Sequence, residues 1–184
     1  MKQESHRLLG RYLMGRLPQR PTRTRSAAFY MGCVEPDRNP LSYCKGSIRA
    51  RWFYGHNYQN AQRWIDRTIG VLERRRHWTI YDYYRLGKLI HYTSDAFTYV
   101  HNNCFRAPIR DHRAYEDALQ DQFLRRLDAA REARAARMRD LAACFRDIHA
   151  QYLTAAADVQ RDCRYILEMT ERIFCQLLPE AAAA

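Results

Sequence analysis

The sequence has no Cys-x-x-Cys pair, and its six cysteines, Cys33, Cys44, Cys104, Cys144, Cys163 and Cys175, are scattered along the chain. That spacing excludes a zinc ribbon and a dithiol redox motif. No stretch approaches the roughly 20 apolar residues a bilayer-crossing helix needs. The N-terminus, Met-Lys-Gln-Glu-Ser-His-Arg-Leu-Leu-Gly, also lacks the apolar run of about 7–15 residues that marks a secretory signal. The expectation is a soluble, cytoplasmic protein with reduced thiols. Cys144, Cys163 and Cys175 fall in apolar-periodic segments, where a small buried hydrophobe is the expected role. Glycine and proline are few, 7 and 6 in 184 residues, and no internal repeat is present.

What the sequence does have is apolar and aromatic mass: 47% hydrophobic residues, with 13 Tyr, 7 Phe and 3 Trp. Such a composition excludes a disordered chain. Folding at this length removes roughly 70% of the unfolded chain's surface from water, enough for one sizeable core. The expected architecture is all-α: a single multi-helix domain over residues 1–178, followed by a flexible tail at 179–184. Lys and Arg number 31 against 20 Asp and Glu, a formal charge of +11 that is nearly all arginine. This excess would steer an anionic partner, whether phospholipid headgroup, nucleotide or nucleic acid, or would form a solvated face.

Leu8, Leu9, Tyr12, Leu13 and Leu17 recur at helical spacing and predict a first helix over 5–17 with Ser5 as its N-cap. Pro18, Pro21, Pro36, Pro40, Gly32 and Gly46 then predict an extended loop from Pro18 to Ser47. A second helix is expected from about Gly55 to Arg75 and a third from about Thr79 to Val100. A fourth should follow Asp111, read as its N-cap, and reach about Arg126. The segment from about 128 to 178 predicts two long helices broken between His149 and Asp158.

Histidine carries the chemical signal. Five of the seven sit beside carboxylates at spacings suited to metal ligation, whereas His77 and His149 do not. His91 and Asp95 stand at i and i+4, one face of a helix, and His112 and Glu116 repeat the pattern on the next helix. His101 lies between these pairs. Asp37 is expected in the long loop, held by Pro36, and His56 at the opening of the second helix. Imidazole and carboxylate donors together suit zinc, whose catalytic sites keep a position open for water. The ordered series Asp37, His56, His91, Asp95, His101, His112 and Glu116 therefore reads as a multinuclear metal site. Trp52, Phe53 and Tyr54, next to His56, either line a substrate pocket or belong to the core.

These residues resemble the zinc-dependent phospholipase C family, related in fold to the S1/P1 nucleases. The resemblance spans His6 to Glu116 and rests on Gly32-x-x-x-Pro36-Asp37, Gly55-His56, Gly87-Lys-Leu-Ile-His91-Tyr-Thr-Ser-Asp95 continuing to His101, and His112-x-x-x-Glu116. It implies two or three zinc ions: one held by Asp37, His56, His91 and Asp95, a second by His101, His112 and Glu116, and a third sharing Asp95 and taking His6. Secreted members complete that third site with the amine and carbonyl of a processed N-terminal tryptophan, whereas this chain begins with Met1. The resemblance also implies a zinc-associated water attacking phosphorus, with Asp37 as general base. The implied substrate is a phospholipid cut on the glycerol side of phosphorus, with peripheral contact to an anionic membrane. The alternatives are a nuclease or nucleotidase of the S1/P1 type, for which Glu116 is the less suitable acid, and a non-catalytic metal-stabilised protein binding an anionic partner.

Overall fold

The computed structural model describes residues 1–39, 57–105, 108–129 and 138–178. Among them it is all-α, with seven α-helices, one short 3₁₀ turn and no strand. The helices are α1 (Gln3–Gly15), α2 (Arg23–Arg38), α3 (Tyr58–Glu73), α4 (Ile80–Ala96), α5 (Ile109–Ala129), α6 (Leu141–Tyr152) and α7 (Val159–Leu177); the 3₁₀ turn is Tyr99–His101. No helix among the described residues is long and apolar enough to cross a membrane.

Helix α4 is the centre of the fold. Thr79 caps it with a reciprocal capping box: Asp82 donates its backbone N–H to the Thr79 hydroxyl oxygen, and the Asp82 carboxylate accepts from the Thr79 N–H at 2.9 Å. Every residue from Leu89 to Ala96 is buried, because α1, α2, α3 and α7 pack around this helix. Leu9 and Leu13 of α1, Phe29 of α2, Ile65 and Ile69 of α3, and Ile166 and Phe174 of α7 form the core against Leu86 and Ile90.

The tightest contact is between α2 and α4. A Cβ on Gly32 would collide with the Tyr84 carbonyl oxygen, and one on Gly87 with the Phe29 carbonyl oxygen. Both glycines are present because the two backbones touch where a side chain would stand. The contacts run in step along both helices, from Arg25 on the Trp78 carbonyl to Glu35 on Lys88, so α2 and α4 run in the same direction.

Helix α2 replaces the loop expected from Pro18 to Ser47. Thr22 accepts the Arg25 N–H as an N-cap, and no Pro or Gly intervenes from there to Met31. Pro36 falls near the C-terminal end of the helix, which closes two residues later at Arg38, so the bond and space that its ring takes away disturb only the last turn. From Pro40 onward the expected loop, with Cys44, and also Trp52, Phe53, Tyr54 and His56, lies outside the described residues.

Other boundaries also move. Ser5 is buried inside α1, whose N-cap is Lys2, and Asp111 sits in the first turn of α5 rather than capping it. The third expected helix ends at Ala96 and the chain turns through Tyr99–His101. The break near the C-terminus falls between Tyr152 and Val159, as expected. Cys163 is buried, but Cys144 is half-buried and Cys175 exposed, since they stand on the edges of their helices rather than on the core side.

Candidate metal centre

Seven of the eight candidate ligands converge at the C-terminal end of α4, delivered by five elements. His6 comes from α1, Asp37 from the last turn of α2, His91 and Asp95 from α4, His101 from the 3₁₀ turn, and His112 and Glu116 from α5. The eighth, His56, lies outside the described residues. Asp37 is therefore on a helix rather than in a loop.

In the first group, His91 Nε2 lies 3.1 Å from Asp95 Oδ2 and 3.6 Å from Asp37 Oδ1. His6 Nε2 lies 3.3 Å from Asp95 Oδ1 and 4.0 Å from Asp37 Oδ2. The two imidazoles stack with centroids 3.8 Å apart. In the second, His101 Nε2 stands 3.0 Å and His112 Nε2 3.5 Å from Glu116 Oε1. Asp95 Oδ1 reaches to within 3.8 Å of His101 Nδ1, so the groups adjoin. The α-amino group of Met1 sits between them, 2.8 Å from Asp95 Oδ1, 3.0 Å from His101 Nε2 and 3.2 Å from Glu116 Oε1.

The imidazoles are oriented from behind. His91 Nδ1–H donates to the Cys33 carbonyl at 2.8 Å, a distance set by the Gly32–Gly87 contact one residue away. The Ser94 hydroxyl donates its one proton to the His91 carbonyl at 2.8 Å and so accepts from His6 Nδ1–H at 3.1 Å. In both rings this leaves the Nε2 lone pair facing the carboxylates, the tautomer a metal ligand needs. His6 Nε2 is buried and makes no hydrogen bond.

Electrostatics point the same way. Burial opposes the ionisation of Asp95, but the Met1 ammonium, His101, His91 and His6 hold its carboxyl well below the usual range. Burial likewise opposes charge on Glu116, which hydrogen bonds to His101 and His112 nevertheless keep ionised. Burial and the stacked His91 push His6 down to about 4. For His91, burial is outweighed by Asp95 and Asp37, and its pKa rises. Burial and the Met1 ammonium lower His101. The Met1 amine, despite burial, is raised to about 10 by Asp95 and Glu116. Three carboxylates thus gather around the imidazoles, of which burial keeps His6 and His101 short of protons, a field that a divalent cation neutralises.

Two triads, His6–His91–Asp95 and His101–His112–Glu116, each bring one donor atom per residue within 4.8 Å of the others and could each hold an ion. Mixed nitrogen and carboxylate donors with oriented rings fit zinc.

A model of the family described as zinc-dependent phospholipase C matches residues 5–159. The chain belongs to this family. No curated protein and no solved structure matches it. Membership makes this zinc-dependent phospholipase C relative a hydrolase by kind, and all seven converging ligand candidates fall inside the matched segment.

Sequence spacing found both His-x-x-x-acid pairs but none of the groups that orient them. Ser94 stands three residues after His91 on the same helix, yet its bond to His6 crosses between helices. The Cys33 carbonyl has no side-chain signature at all. His149, set aside in the sequence, is buried: its Nε2–H lies 3.0 Å from the Ala96 carbonyl and 3.1 Å from Asn102 Oδ1, which braces the turn that carries His101. His77 is exposed.

Proposed function

We propose that this chain is a zinc-dependent phosphodiesterase of the phospholipase C type that releases a phosphorylated headgroup from a phospholipid. One ion is assigned to Asp37, His56, His91 and Asp95, a second to His101, His112 and Glu116, and a third to Asp95 with His6. The fold is assigned as one domain over 1–178 with a tail at 179–184. The observation that carries this reading is the convergence of His6, Asp37, His91, Asp95, His101, His112 and Glu116 from five elements onto one end of α4.

Zinc, when bound, lowers the pKa of a coordinated water to about 7 and offsets the charge of the phosphate. Asp37 is the proposed general base. Its side chain is 20% exposed where that of Asp95 is 1% exposed, so within the first group it is the carboxylate that solvent and substrate reach. It takes a proton from the attacking water as the oxygen bonds phosphorus. The bond from phosphorus to the glycerol oxygen then breaks, and that oxygen takes up the proton held by Asp37, giving diacylglycerol and a phosphorylated headgroup. The buried Asp95 and the oriented rings of His6 and His91 remain fixed through these steps. The arginine excess draws anionic lipid toward the protein. Glu116 at the last ligand position favours phospholipid over nucleic acid.

The test incubates the zinc-loaded protein separately with phosphatidylcholine vesicles and with single-stranded DNA, and reads products by phosphorus NMR. Phosphorylated headgroup should be released from the vesicles, and Asp37→Asn should slow release by about 10²- to 10⁴-fold. Cleavage of DNA alone would transfer the reading to an S1/P1-type nuclease. Turnover of neither would leave a metal-stabilised protein that binds an anionic partner.

A further inference from the structure

Asp162 opens α7, three residues beyond the segment shared with the family, and is fully buried. Its two oxygens are divided between two parts of the fold. Oδ1 accepts the Tyr152 hydroxyl at 2.7 Å, from the end of α6. Oδ2 accepts the Tyr99 backbone N–H at 2.8 Å and the Tyr115 hydroxyl at 2.8 Å. Tyr99 begins the 3₁₀ turn that ends in His101, and Tyr115 directly precedes Glu116 on α5. One carboxylate oxygen therefore clamps together the two separate elements that carry the second ligand group, and the other oxygen anchors that clamp to the C-terminal helices.

We propose that Asp162 is a positioning residue for the second metal site, fixing the distance between His101 and Glu116 through Tyr99 and Tyr115. The proposal rests on the assignment of His101, His112 and Glu116 as ligands. His101 and Glu116 are 15 residues apart in sequence, so their separation depends on contacts between the turn and α5. Asp162 supplies such a contact from outside both elements. A carboxylate with two oxygens can hold three donors at once, and no uncharged side chain of that size accepts as many.

Removing Asp162 would strand three buried donors and could unfold the chain, so the decisive variants act on the hydroxyls. Tyr115→Phe and Tyr152→Phe each delete one hydrogen bond to the same carboxylate, but only Tyr115 belongs to a ligand-bearing helix. The experiment titrates cobalt(II) into metal-stripped full-length wild type, Tyr115→Phe, Tyr152→Phe and His112→Ala, reading visible d–d absorption, and records the melting temperature of each metal-stripped protein. His112→Ala defines the second site by the absorption it abolishes. Both tyrosine variants should melt below wild type by similar amounts. Tyr115→Phe should bind cobalt at the second site about tenfold more weakly, with altered band intensities, as expected when a group that orients a ligand is lost. Tyr152→Phe should bind as wild type does. Equal affinity in wild type and both tyrosine variants, or equal weakening in both tyrosine variants, would overturn the positioning role. No cobalt bound by wild type, or no loss in His112→Ala, would instead overturn the ligand assignment and the proposal with it.

Discussion

His6 and Ser94 show how little of a metal site resides in its ligands. The Ser94 hydroxyl has one proton, given to the His91 carbonyl, so its oxygen fixes the tautomer of His6. Ser94→Ala should therefore weaken zinc binding about tenfold, measured by competition with a chromophoric chelator; unchanged affinity would mean that His6 is not a ligand or is oriented by other groups. His149 carries a different prediction. Burial pushes its pKa down to about 4 from the ordinary histidine value of 6.5, so the unfolded chain takes up a proton that the folded chain refuses. Its stabilisation is fully present above about pH 6.5 and is lost as pH falls toward 4, an effect of about 3 kcal/mol. Denaturant unfolding of metal-stripped protein at pH 7 and pH 4.5 should show a loss about 2–3 kcal/mol smaller in His149→Gln than in wild type. At this scale the sequence disclosed His91 with Asp95 and His112 with Glu116, because an i, i+4 pair is a local fact of helix geometry. It could not disclose the Cys33 carbonyl or the His6–Ser94 bond, which exist only once separate helices meet.

Among the elements, α2 is the instructive one. Counting Pro18, Pro21, Gly32, Pro36 and Pro40 as breakers hid a helix whose start was marked by Thr22 after Pro21 and whose interior, from Arg23 to Met31, contains no breaker. Gly32 is present because α4 approaches too closely for a side chain, and Pro36 stands near the helix end. The same contact holds Asp37 and the Cys33 carbonyl against His91. Gly32→Ala or Gly87→Ala should thus cost about 3 kcal/mol or more, since backbone rather than a flexible side chain blocks the new Cβ, and should weaken zinc binding as His91 loses its support. Gly15→Ala is the control. A Cβ there meets nothing within 4 Å, and the change should be neutral or stabilise by up to about 1 kcal/mol. Chemical denaturation of the three variants checks both expectations; a Gly32→Ala protein as stable as wild type would contradict the close packing. Helices α3 and α4 were expected at nearly these places, whereas the turn at Tyr99–His101 was not, because its brace comes from Asn102, His149 and Asp162.

For the molecule as a whole, α4 is a central post, buried from Leu89 to Ala96, and four further elements bring side chains to its C-terminal end. The C-terminal helices, to which the sequence assigned no role, hold that end from below through His149 and Asp162. Six of the seven described helices and the order of the ligands could be read in advance, because each depends on local pattern, whereas α2 could not. The assembly could not, because it depends on which faces pack. The central claim is that this assembly holds metal. Its most direct test is elemental analysis of metal per chain, on wild type and Asp95→Ala purified without chelator or nickel resin. Asp95 touches both ligand groups, so its loss should be felt in each. Two or three zinc ions per wild-type chain, with clear loss in Asp95→Ala, is the predicted result. Wild type that holds no metal, and takes up none when zinc is added back, would contradict it.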